Sequence, residues 1–83
     1  MIPQPCRAND ILRDQFARLQ TSRTPSMDRD KLISYAEAYR MLLEIDAADF
    51  AYWERIALAT EQQRRNFLRA ESQQKNFALG RAA

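Results

Sequence analysis

The sequence predicts an all-α fold, a small three-helix protein built on a helical hairpin, with a short N-terminal helix and a long C-terminal one. Two observations carry this. From Met27 to Leu79 there is neither glycine nor proline. Apolar residues recur at spacings of three and four, the period of one helix face. Capping signals then divide the chain.

Pro3 and Pro5 hold residues 1–8 as an extended arm. A first helix is predicted over 9–21. Asn9 or Asp10 can cap it, and Leu12, Phe16 and Leu19 recur at i, i+4 and i+7. Asp14 and Arg18 form a favourably oriented i,i+4 pair. The stretch TSRTPSMD ends that helix. Thr24 before Pro25, or Ser26, can cap the next, and Asp28 and Asp30 suit the positive end of its dipole.

The second helix is predicted over 27–45 and the third over 47–78. Asp46 is the expected break: it can cap a new helix with Asp49 at its third position, and Ile45 and Phe50 are placed for a hydrophobic staple. The alternative is one continuous helix of about 50 residues, ~75 Å long, with both aspartates facing solvent. Gly80 is the expected C-terminal stop, with residues 80–83 frayed. Residues 9–79 thus form a single helical domain.

The predicted helices carry more apolar surface than so few elements can cover. The second has a main stripe of Leu32, Tyr35, Ala36, Tyr39, Leu42 and Leu43, and an opposite one of Ala38, Met41 and Ile45. On the third, Trp53, Ile56, Thr60, Gln63, Phe67, Ala70, Gln74 and Phe77 follow alternating spacings of three and four, a heptad-like seam diluted by polar residues. Glu61–Arg65 and Glu71–Lys75 are i,i+4 pairs that support this helix. The surplus points to a homodimer or another protein partner. Tyr39, Trp53, Ile56, Gln63, Phe67 and Phe77 are the candidate interface residues, with Tyr39 and Trp53 serving either there or in the core.

Composition narrows the chemistry. The chain has 83 residues, one cysteine and no histidine. A domain this short buries roughly 60–65% of its unfolded surface, so a partner subunit is a natural stabiliser. No internal disulfide can form, and a zinc site lacks ligands. Catalysis by a histidine base is ruled out, and the single glycine excludes a glycine-rich phosphate loop. No enzyme activity, cofactor or metal is expected. Glu44, Asp46 and Asp49 are the nearest approach to a cation cluster, and capping accounts for both aspartates. With no apolar leader or spanning segment, the expected location is the cytoplasm, with Cys6 reduced and no membrane role. The arginine and alanine bias points to a GC-rich bacterial or phage genome.

Net charge is only +2, but the centre of the chain is acidic and its ends are basic. Such segregation favours docking between unlike surfaces. The expected function is therefore a non-catalytic interaction module, a small bacterial or phage regulator or inhibitor that docks on a larger protein. The alternative is a small nucleic-acid-binding regulator. Arg64, Arg65, Arg69 and Lys75, near Phe67 and Phe77, are its candidate contacts to an anionic partner.

Overall fold

The computed structural model describes residues 6–82, with side chains described over residues 6–74. Among them are three helices and no strand: α1 (Arg7–Gln20), α2 (Pro25–Met41) and α3 (Ala47–Ala82).

α1 starts two residues earlier than the sequence suggests. Extended Cys6 caps it, its Sγ accepting from the Asn9 backbone N–H at 3.4 Å. Neither Asn9 nor Asp10 is the cap. Asn9 is fully buried instead, and Asp10 pairs with Arg13 at 2.7 Å. The Asp14–Arg18 pair does not form: no ion pair joins these two exposed side chains.

Ser22 organises the turn between α1 and α2. It is buried, its backbone N–H reaches the Leu19 carbonyl at 3.2 Å, and its hydroxyl donates to the Asp28 carboxylate. The same hydroxyl oxygen accepts from the Thr24 N–H at 2.8 Å. Thr24 occupies the N-cap of α2 but makes no side-chain cap bond. Pro25 opens the helix, where its missing N–H costs nothing.

α2 stops at Met41, four residues before the expected end. Leu43 adopts φ 61°. The Leu43 N–H bonds the Arg40 carbonyl at 3.0 Å, and the Glu44 N–H bonds that of Tyr39 at 2.9 Å. These are the two bonds of a Schellman stop, in which the left-handed residue is ordinarily glycine. The reversal swings Ile45 back into the core, where it is buried. Asp46 then starts α3, its Oδ1 accepting from the Asp49 N–H at 2.8 Å. The chain therefore breaks at Asp46 rather than continuing as one helix.

α3 spans 36 residues, about 54 Å, and sets the long dimension of a molecule 58 × 20 × 16 Å. Its backbone is helical through Gly80, so that glycine is not the stop. The Cα radius of gyration is 16.2 Å, against about 12 Å for a compact chain of this length. Each helix packs against the other two. Ala8, Leu12 and Leu19 of α1, Leu32 and Ala36 of α2, and Trp53 and Ala57 of α3 are buried together with Ile45. Trp53 is central. Phe16 lies 6.4 Å from its ring at 59°, and Tyr52 meets it edge-on at 5.3 Å, arrangements that aromatic quadrupoles favour.

Candidate functional site

Two buried polar clusters join the helices. In the first, Trp53 Nε1 donates to Asn9 Oδ1 at 2.9 Å, and Asn9 Nδ2 points at Asp49 Oδ2, 3.5 Å away. Indole nitrogen and amide are both buried, so each needs the other. In the second, Glu61 is 7% exposed. It accepts from Ser26 Oγ at 2.8 Å and faces Arg29 Nη2 at 3.7 Å and Arg65 Nη1 at 3.9 Å. Arg29 Nε lies 2.9 Å from Asp30 Oδ1 but lacks hydrogen-bond geometry with it. Both clusters link α3 to another helix; Ser26 and Arg65 of the second also border a surface groove.

The heptad-like seam divides by position. Trp53 is 2% exposed and has no surface to offer a partner. Ile56 and Tyr39 are half-buried against the same core. Further along, α1 and α2 no longer cover the seam: Gln63 is exposed and Phe67 is 54% exposed. Phe67, Ala70 and Gln74 border an open depression of about 610 Å³. The side chains of Phe77 and Lys75, and with them the Glu71–Lys75 pair, lie outside the described residues. Glu71 pairs with Arg23 at 2.8 Å.

The arginines divide as well. Arg64 Nε donates to the Ser22 carbonyl at 2.6 Å and Nη2 to the Thr21 carbonyl at 3.3 Å. Its guanidinium also lies over the Phe67 ring, 4.7 Å from the centroid. Arg64 thus closes the C-terminal end of α1, whose last carbonyls lack helical partners. Arg65 and Arg69 are exposed. They flank a groove of about 400 Å³ lined by Pro25, Met27 and Leu68.

The principal apolar surface lies elsewhere. The exposed large apolar residues among those described are Met27, Tyr35, Met41, Leu42, Leu43, Leu58 and Phe67. The first five of these seven belong to α2 and the turn that ends it. At 100° per residue, Met27, Ser34, Ala38 and Met41 fall opposite the buried Leu32 and Ala36, with Tyr35 and Leu42 alongside. The second stripe expected from the sequence, Ala38, Met41 and Ile45, holds for Ala38 and Met41, whereas Ile45 is buried in the core; the main stripe wrongly groups the buried Leu32 and Ala36 with Tyr35, Leu42 and Leu43. Those three are exposed by 40%, 68% and 89%.

Leu43 is the extreme case. A left-handed conformation costs a non-glycine residue roughly 1–2 kcal/mol, and Leu43 recovers almost nothing by burial. Backbone conformations of this kind cluster at functional sites in proteins generally. The available signal was the run Met41-Leu42-Leu43: three consecutive apolar residues at a helix end cannot all share one face.

The rim of this tip carries both signs of charge, with acidic groups in the majority. Glu37, Glu44 and Asp46 are exposed, as are Arg7, which borders a cavity with Leu42 and Glu44, and Arg40, whose guanidinium lies over Phe50, 5.2 Å from its ring centroid. Among the described residues, no group of three acidic or thiol side chains could hold a metal ion, and no helix is long and apolar enough to cross a membrane. No family model, curated protein or solved structure matches this chain.

Proposed function

We propose that this chain is a non-catalytic protein-interaction module, a small regulator that binds through the outer face of α2 and the Leu43 tip. The carrying observation is the concentration of exposed apolar side chains there, capped by a leucine held at φ 61°. In this reading α2 and α3 form an antiparallel hairpin that presents the face. Ser26 at the start of α2 meets Glu61, whereas Arg40 near its end meets Phe50. α1 braces the hairpin from behind through Asn9 and Arg64.

A protein partner suits this surface better than nucleic acid or lipid. The tip is apolar, and its rim sets Glu37, Glu44 and Asp46 against Arg7 and Arg40, a net negative border that does not attract phosphates or anionic headgroups. Of the arginines that favoured nucleic acid, Arg64 is committed to backbone carbonyls. The matching surface is an apolar cleft with a basic border.

The test compares the wild-type chain with a Met41→Gln/Leu43→Asn variant. Asparagine tolerates the left-handed region, so the turn survives. Proteins captured by the wild type but not by the variant are purified and titrated by calorimetry. The reading predicts a dissociation constant of about 10 µM or tighter, weakened at least tenfold in the variant. Equal binding by both chains refutes it, as does binding to nucleic acid that is lost on Arg65→Ala/Arg69→Ala.

A further inference from the structure

The cleft that fits the α2 tip is present on the same chain. Pro25, Met27 and Leu68 line an apolar groove at the opposite end of α2, and the exposed Arg65 and Arg69 border it. The tip presents Met41, Leu42 and Leu43 with Glu44 and Asp46 beside them. Apolar surface thus matches apolar surface, and an acidic border matches a basic one.

We infer that the occupant of the α2 face is a second copy of this chain, packed as an isologous two-fold dimer with the two α2 helices antiparallel. This rests on the interaction-module reading and names the partner of that same surface. A two-fold contact requires each element and its complement on one subunit. Met27 and Met41 are fourteen positions apart, about 21 Å along the helix. Antiparallel apposition sets Met41 of one copy against Met27 of the other, and simultaneously the reverse. The Met41–Asp46 tip of each copy then reaches the groove between Arg65 and Arg69 of the other.

The midpoint of Met27 and Met41 is Ser34, which falls on the two-fold axis. Ser34 and Ala38 are small and exposed, so the helix axes can approach to roughly 9 Å.

The position of Ser34 supplies the test. Axes about 9 Å apart place facing Cα atoms about 4–5 Å apart, within disulfide range. Ser34→Cys is made in a Cys6→Ser background, which keeps a capping oxygen at α1, and circular dichroism checks the fold. Under mild oxidation the inference predicts a covalent dimer as the main product, whereas Ser72→Cys in the same background stays monomeric. Sedimentation equilibrium of the wild type should give a dimer. Arg65→Glu/Arg69→Glu should weaken it about tenfold, and Glu44→Arg should restore part of the loss.

A wild-type dimer whose Ser34→Cys variant does not cross-link overturns the geometry. A wild-type chain that stays monomeric at every concentration up to about 1 mM overturns the second copy. The interaction-module reading would then stand or fall on calorimetry with a heterologous protein.

Discussion

Replacing Leu43 by glycine should make the protein more stable and less able to associate. Leu43 sits at φ 61° with 89% of its surface exposed. Relief of the left-handed conformation is worth roughly 1–2 kcal/mol. The greater freedom of glycine in the unfolded chain takes back about 0.4–1 kcal/mol. Lost packing adds little, because the side chain touches little. The net gain is therefore about 0.5–1 kcal/mol. Urea unfolding followed by circular dichroism, at the lowest chain concentration that gives a signal, should show a midpoint about 0.5–1 M higher. The melting temperature should rise by roughly 2–8 °C. Sedimentation of the same variant should show association weakened at least tenfold. Destabilisation by more than about 1 kcal/mol would mean that Leu43 packs on its own chain, and the argument from strain to function would fail.

The remaining predictions concern the scaffold and the arginines. Trp53→Phe should cost about 1–3 kcal/mol, because Asn9 keeps its burial but loses its indole donor; chemical denaturation reads this directly. Arg64→Ala should destabilise by about 1 kcal/mol through the freed Thr21 and Ser22 carbonyls. Arg65→Ala, at an exposed pair 3.9 Å long, should change stability by less than about 0.5 kcal/mol. Glu61→Ala should cost about 1–3 kcal/mol, since it strips Ser26 and Arg29 of a buried acceptor; thermal unfolding checks it.

Local chemistry was the legible part of this fold. The break at Asp46 follows from its spacing to Asp49 and from Ile45 and Phe50, all within five residues, and the cap bond forms there at 2.8 Å. The start of α2 was only partly legible: the sequence offers Thr24–Pro25 or Ser26 as its opening and the predicted range begins at 27, whereas the helix begins at Pro25.

What the sequence obscured depends on neighbours remote in the chain. Asn9 resembles an N-cap in isolation. Only Trp53, 44 residues away, makes it a buried acceptor, and Cys6 takes over the capping. Arg64 resembles a phosphate contact until the end of α1 comes within 2.6 Å. The seam on α3 is continuous in spacing, but its environment changes from buried at Trp53 to open at Phe67. A repeat records which residues share a face and says nothing of what covers it. The end of α2 was hidden because no glycine marks the left-handed position. Leu43 occupies it, and extending the helix to residue 45 put Leu43 on the main stripe and Ile45 on the opposite one, whereas Leu43 is exposed and Ile45 buried.

The central claim, that the outer face of α2 rather than the α3 seam is the associating surface, is tested most directly by a dilution series with methyl and aromatic NMR. Across concentrations that span the monomer–dimer transition, the claim predicts shifts or broadening at Met27, Tyr35, Met41, Leu42 and Leu43, with Phe67 unmoved. Concentration-dependent changes at Phe67 and Ala70, with the α2 signals constant, would contradict it.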